Sequence, residues 1–507
     1  MADASDRLHG TVIVLLTLPF LPFQTLHCRH ASSFPLPRQP LPSLAETTAR
    51  YLRSLEPLVS PEELEQTQQL LAEFGVPGGE GERLQARLQR RADRMENWIT
   101  DWWVQSAYLE SRLPLAVHSS PAVVLPKQDF NDWKGQLRWN GSVNTTRHPL
   151  QIPLLLHLTN ITDPFVLFSH LVVSDSSPFC LSHPLSLCLF FPHVCLLLLA
   201  TPFSQFIVGE DGSCGVLYEQ AVAEGPPIAT IIDHVLDYCK DPVPVRAPLI
   251  PLQLPKKLYF CFTPEIKRDI EHAKQNLDIL ITDLDISCFT YCGFGKELLK
   301  RLRLSPDSVL QVALQLAYYR AHGELCATAE SASLRRFHRG RTETIRSTTS
   351  AALAFVRAMA DDDCQAPERL SLLKKAVEVH STLTEQALAG QGIDRHLLGM
   401  KLEAIADGFR VPELFMDTSY AVASHWKLST GQVAARTDCV MCYGPLVPDG
   451  YAVCYNPLPT HVNFAVTAFN CCQETNAEHL AGSIQKALDD VGALLGNWGV
   501  GSDQRQP

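Results

Sequence analysis

Residues 141–203 break this chain in two. Across them Leu, Pro, Ser, His and Cys dominate, lysine is absent, and Arg147, Asp163 and Asp175 are the only strong charges. The run 185–203 has the length of a membrane span, yet Pro192 and His193 interrupt it and no basic flank sets an orientation. It is therefore read as an apolar insert between two stretches of ordinary α/β texture. The whole chain of 507 residues is too long for one hydrophobic core. The expected division is an atypical extension at 1–36, the helical start of a first domain at 37–140, the insert at 141–203, the remainder of the first domain at 204–260, a second domain at 261–497, and a tail at 498–507.

Charge and thiols narrow the class. With 46% hydrophobic and 19% charged residues the chain is globular, and its net charge of −11 argues against a nucleic-acid partner, which would need concentrated Lys and Arg. Any anionic ligand must be held by a local basic site. Sixteen cysteines are scattered, several in apolar runs (Cys439, Cys442, Cys454), which reads as reduced thiols in an intracellular protein rather than a disulfide framework. Cys439-x-x-Cys442 and Cys471-Cys472 lack a His/Cys partner pair at zinc spacing, so no metal is expected. The apolar run 11–23 follows Asp3, Asp6 and Arg7, which fits neither a secretory signal nor a mitochondrial presequence well. The sequons at Asn144 and Asn160 would matter only in a secreted protein.

Periodicity places the elements. Ser60 caps a helix opening on Pro61-Glu62-Glu63, and residues 82–108 carry a core stripe of Leu84, Leu88, Met95, Trp98 and Trp102. Thr263-Pro264-Glu265 opens a helix with Ile266, Ile270, Ala273, Leu277 and Leu284 on one face. Ser305-Pro306-Asp307 opens another, which runs through Tyr319 and stops at Gly323. Strands are expected at 258–262, 439–443, 451–455 and, alternating, 461–469. The last helix buries Leu480, Ile484, Leu488, Val491 and Leu495. His234, in an apolar helical run, reads as structural.

Four segments carry a more specific message. They are FIVGEDGSCGVLYEQAVAEGPP at 206–227, Ser331-Ala332-Ser333-Leu334-Arg335, Asp394-Arg395-His396-Leu397-Leu398-Gly399, and Asp438-Cys439-Val440-Met441. Together they resemble the carnitine/choline O-acyltransferase family over about four fifths of the chain, residues 37–140 and 204–497. The resemblance implies an α/β, two-domain fold of mixed sheets covered by helices, with chloramphenicol acetyltransferase-like topology, of which the segment between Trp139 and Gln205 lacks a long family stretch. It implies reversible transfer of a short acyl group between coenzyme A and L-carnitine, with no tightly bound cofactor and no metal, by a chain that is often monomeric. The implied address is mitochondrial, with cytoplasmic as the alternative; Asp503-Gln504-Arg505-Gln506-Pro507 is not a peroxisomal signal of the Ser-Lys-Leu type.

Residue by residue, the resemblance assigns a site with three departures. Gln220 stands where the family keeps its general-base histidine, a group suited to proton transfer because its pKa lies near working pH. An amide has no such basic form. Glu224 matches the carboxylate that orients that histidine. Gly431 in Leu428-Ser429-Thr430-Gly431 stands where a serine donates to the oxyanion, and Ala329 stands where a tyrosine contacts the carnitine carboxylate. Thr342, Arg395 and Ser429 match the other carboxylate ligands, the guanidinium offering the two-point fit that separates carnitine from choline. Lys296 and Lys300 match lysines that bind the 3′-phosphate of coenzyme A, and Asp307 a carboxylate near its nucleotide. Met441 corresponds to a residue closing a short acyl pocket, and Tyr443 to one facing the trimethylammonium group. Two readings stay open: an acyltransferase impaired by these departures, and an inactive homologue that binds coenzyme A or acyl-CoA.

Overall fold

A computed structural model describes residues 35–127, 204–208, 213–240 and 263–503, apart from 407, 409 and 434. The strands are β1 (Ala122–Leu125), β2 (Ser204–Val208), β3 (Cys214–Tyr218), β4 (Leu284–Tyr291), β5 (Thr328–Ser333), β6 (Thr342–Arg346), β7 (Leu428–Gln432), β8 (Val440–Cys442), β9 (Tyr451–Pro457) and β10 (Val462–Phe469). The longer helices are α1 (Leu44–Leu55), α2 (Pro61–Phe74), α3 (Glu80–Arg94), α4 (Gly225–Lys240), α5 (Pro264–Asp283), α6 (Pro306–His322), α7 (Ser350–Ala360), α8 (Ala366–Leu388), α9 (Asp394–Ala406) and α10 (Ala477–Asp503). Among the described residues no helix is long and apolar enough to cross a membrane; the run 185–203 and the expected strand 258–262 lie outside them.

The chain forms two compact units. The first combines 1–33, 113–283 and 435–443; the second combines 34–112, 284–434 and 444–507. In the first unit the described strands form one sheet in the order β2-β3-β1-β8, and every described pair is antiparallel. β3 is buried along its whole length, and α4 buries Ile228, Ala229, Ile232 and Val235.

The second unit is built on a six-stranded mixed sheet, β4-β10-β9-β7-β5-β6. β7 runs parallel to both β5 and β9, while the outer pairs are antiparallel. Helix α6 is fixed at both ends by its sequence. Ser305 accepts a hydrogen bond from Ser308 N, Pro306 fills the first turn, and Gly323 closes the helix at φ 78°, its N–H donating to Tyr319 O. Every α6 residue from Ser308 to Tyr318 is buried, so this helix runs through the core rather than over it. It packs with α10, whose stripe Leu480, Ile484, Leu488, Val491 and Leu495 is at most 1% exposed, against the sheet residues Val453, Tyr455, Phe464 and Val466. A second core gathers α1, α2 and α3, with Tyr51, Leu71, Leu88 and Trp98, onto Leu397, Met400 and Ala404 of α9.

Several sequence expectations are corrected. α3 ends at Arg94, and Met95 is 36% exposed because it caps the helix instead of continuing the stripe. On α5 only Leu277 is buried; Ala273 is exposed, Ile266 is 36% exposed, and Leu284 opens β4. His234 is exposed on α4. All eight residues of β10 are buried, since a central strand is covered on both faces whatever its alternation. Its polar side chains are matched, with Thr290 Oγ1 donating to Asn463 Oδ1 at 2.9 Å.

A polar network threads this core. Gln311 of α6 donates to Thr430 Oγ1 on β7 and Tyr455 Oη on β9, both at 2.9 Å, and Tyr455 donates to Asp307 Oδ1 at 2.6 Å. Glu330 on β5 lies 3.0 Å from Nε2 of His380 on α8, whose Nδ1 meets Ser308 Oγ at 3.1 Å. Burial, and then the neighbouring Glu330 charge, pushes Asp307 up to about 7, and burial pushes Glu330 up to about 7; burial lowers His380 to about 4. The carboxyl pair therefore holds protons that the unfolded chain releases.

Two predictions follow the packing. Phe464, fully buried and stacked on Phe289 at 5.0 Å, should cost about 3–5 kcal/mol of unfolding free energy when changed to Ala, against less than about 0.5 for Ile279→Ala at an exposed site, as read from denaturant midpoints. Between about pH 4 and 7 the unfolded chain ionises Asp307 and Glu330 while the folded chain keeps them protonated, so stability falls as pH rises; His380 opposes this, adding stability as pH rises through the same window. The variant Asp307→Asn/Glu330→Gln should therefore lose less stability than the wild type between pH 5 and 7.5. An equal or larger loss would remove the proton-holding pair.

Candidate functional site

The first unit presents Gln220 on a pinned turn. β3 ends at Tyr218, and Glu219 then accepts from Ser119 Oγ at 2.5 Å, Ser120 Oγ at 2.8 Å and Ala221 N at 3.1 Å. Gln220 N donates to Ser119 O at 3.0 Å, and the residue is half-buried. Glu224 immediately precedes α4 and is also half-buried. Met441 sits on β8 opposite Val123, 8% exposed, its sulfur accepting from Tyr218 Oη at 3.4 Å; Tyr443 follows the strand, half-buried. Asp233 on α4 holds this segment, accepting from Arg436 N at 3.0 Å, Thr437 N at 2.9 Å and Thr437 Oγ1 at 2.7 Å. Burial alone would raise its pKa, but these donors hold it below the usual carboxylate value. Glu219 and Asp233 were missed in the sequence, where a carboxylate that pins a turn looks like any surface acid.

In the second unit, Arg395 and Thr342 are in contact. Arg395, at the start of α9, is 4% exposed; its Nε donates to Thr342 O at 2.8 Å, one terminal nitrogen approaches Thr342 Oγ1 at 3.4 Å, and the other donates to Thr344 Oγ1 at 3.1 Å. The guanidinium carbon lies 3.3 Å from the centroid of the Trp103 ring, a cation–π stack that the sequence did not disclose. Glu343 accepts from Arg395 N at 3.2 Å, with its own pKa pushed up to about 7 by burial, the arginine pulling the other way. Thr342 lies on β6, so strand and helix share one charged clamp.

Two of the three positions that depart from the resembled pattern share one strip of sheet. Ala329 on β5 is in register with Ser429 on β7, and Gly431 follows two residues along the same strand, opposite Cys454 of β9. Side chains two apart on a strand point to the same face, so Ser429 and position 431 face the same way, beside Ala329. Ser429 and Gly431 are buried. Ser331 and Ser333 follow Ala329 on the same face of β5, so that face keeps serine hydroxyls while positions 329 and 431 carry none.

Lys296 and Lys300 lie one turn apart on the short helix Lys296–Arg301, half-buried and exposed respectively. The β9–β10 turn fixes its start: Lys296 N donates to Leu458 O at 2.9 Å and Glu297 N to Pro459 O at 3.1 Å. A Cβ on Gly295 would meet Pro459 O, so only glycine allows that approach. Asp307 belongs to the proton-sharing network of the core. Asp307, Glu330 and His380 place possible ligand atoms within 4.8 Å of one another, the one such group among the described residues able to take a cation. Tyr455, Ser347 and Ser308 already hydrogen-bond to these three, an arrangement suited to shared protons.

Comparison with known proteins fits this geometry. The model of the choline/carnitine O-acyltransferase family matches residues 39–161 and 203–486. Carnitine O-acetyltransferase of Columba livia is 41% identical, the match covering 91% of this chain and 93% of the relative. The enzyme of that name from Homo sapiens is likewise 41% identical, over 91% and 93%. Choline O-acetyltransferase of Homo sapiens is 30% identical, over 90% and 79%. The alignment with the pigeon protein runs to 590 positions, more than this chain has residues, so the relative carries residues that this chain lacks. The helix-covered mixed sheet of the second unit is the α/β architecture expected from such kinship, and the chain belongs to the choline/carnitine O-acyltransferase family.

Proposed function

We propose that this chain is a carnitine O-acetyltransferase-like protein that exchanges a short acyl group between coenzyme A and L-carnitine, slowly as the sequence stands. The observation that carries the choice of acceptor is the buried Arg395, framed by Thr342, Thr344 and Trp103. A planar cation in a preformed frame pays little ordering entropy when a carboxylate replaces one of its partners. Choline, which has no carboxylate, would gain nothing from it. Lys296 and Lys300 would meet the 3′-phosphate of coenzyme A, and Met441 would limit the acyl group to short chains.

Slowness follows from what Gln220 and Gly431 lack. In the forward reaction the carnitine oxygen adds to the thioester carbonyl, its proton leaves, and the coenzyme A thiolate departs and is reprotonated. With an amide at 220 the proton passes to water, which costs about 10²–10⁴ in rate. With no hydroxyl at 431 the oxyanion loses one donor, about 10²–10³ more. The same losses favour the second reading, a non-catalytic homologue that binds coenzyme A.

Carnitine-dependent thiol release from acetyl-CoA, measured with the purified chain, should fall at least about a hundredfold below an ordinary turnover of roughly 10 per second. Gln220→His should raise it, and Gln220→His/Gly431→Ser should raise it further. An ordinary rate in the unaltered chain would show that another group replaces the histidine. No gain in either variant, with coenzyme A still binding, would leave the non-catalytic reading.

A further inference from the structure

A cavity of about 480 Å³ opens within the second unit, between α1, β6, α8 and the turn that leads into α9. Its size falls in the range of small-molecule sites, and nothing in the acyl-transfer reading uses it. The floor is apolar, formed by Ile345, Val379, Leu383, Ala387 and Ile393, of which Ile345, Ala387 and Ile393 are buried. The walls include both faces of β6, because β6 is the edge of the sheet and has no strand beyond it among the described residues. Thr344, which accepts from Arg395, lines it as well.

The rim decides the sign of the occupant. Glu56 accepts from Ser350 Oγ at 2.6 Å, and Glu378 is paired with Lys375 at 3.0 Å. Arg346 is committed to Asp394 at 2.8 Å, and Arg50 to Gln391 O at 2.6 Å and Glu46 at 3.8 Å. Arg53 differs: its Nε donates to Ala49 O at 3.3 Å, and among the described residues its two terminal nitrogens meet no acceptor. The lining carries four cations, Arg50, Arg53, Arg346 and Lys375, against two carboxylates, Glu56 and Glu378; Glu56 meets only the Ser350 hydroxyl, and Arg53 is the cation whose two terminal nitrogens stay free, the geometry that grips a carboxylate at two points. An apolar floor beneath one such cation suits neither a bare ion nor a neutral chain alone.

We propose that this cavity binds a straight-chain carboxylate, with the head group on Arg53 and the hydrocarbon over Leu383 and Ile345. None of the residues assigned to coenzyme A or carnitine lines the cavity, although Thr344, which holds Arg395, does; Arg53 and Leu383 touch neither assignment, so variants at these two positions test the cavity apart from the acyl-transfer reading.

Isothermal titration of octanoate into the full-length chain tests it, with octyltrimethylammonium as a probe of opposite charge and similar tail. The expected result is saturable binding of octanoate with Kd of about 1 mM or tighter, at least a tenfold weakening in Arg53→Glu, and no saturable binding of the cation. Arg53 is exposed, so its variant should keep its fold; Leu383→Trp, which fills the floor without changing charge, should also weaken binding. Absence of saturation with octanoate, equal binding of the cation, or wild-type affinity in both variants would overturn the proposal.

Discussion

The guanidinium of Arg395 is where the second unit is tied together. It joins the start of α9 to the edge strand β6 through Thr342 and Thr344, and it lies against Trp103, which comes from the chain's other side of the sequence. Burying a cation this deeply is tolerable only if every donor has somewhere to go, and here two hydroxyls, a carbonyl, a ring face and the carboxyl of Glu343 share the task. The proposed carboxylate contact draws on the same preorganisation. A group already stripped of water and already oriented has little left to lose on binding.

Beneath that clamp the sheet is set by its interior. β7 lies between two parallel neighbours, and its Thr430 is hydrogen-bonded from α6 through Gln311, so the strand carrying Ser429 and Gly431 is anchored from behind by the core. The proton-sharing group of Asp307, Glu330, His380 and Tyr455 ties α6, α8, β5 and β9 into one body. The strands that carry positions 329, 429 and 431 are thus held by the core behind them. Alanine at 329 and glycine at 431 leave the backbone hydrogen bonds of these strands in place, because side chains take no part in the ladder.

Much of this was legible in the sequence, for reasons that differ by element. Helix starts at Ser60 and Ser305 and the stop at Gly323 were readable because capping is a local interaction between residues a few positions apart. The stripe of α10 was readable because one face meets a core. β5, β6 and β7 were not, since Ser, Thr and Glu dominate them and their burial comes from neighbours distant in sequence. The face assigned to α5 misled because an apolar period states which side could be buried, and only packing decides whether it is. Arg395 and Thr342 were found through motif resemblance, whereas Trp103, Glu343, Glu219 and Asp233 needed the fold to bring them to their partners.

The most direct test of the account is a calorimetric titration of the purified chain with L-carnitine and, separately, with choline. The clamp around Arg395 predicts saturable binding of L-carnitine and at least about tenfold weaker binding of choline, the loss of one charge-assisted contact. Equal affinity for the two, or binding of choline alone, would contradict the assignment of Arg395 as the group that selects the acceptor.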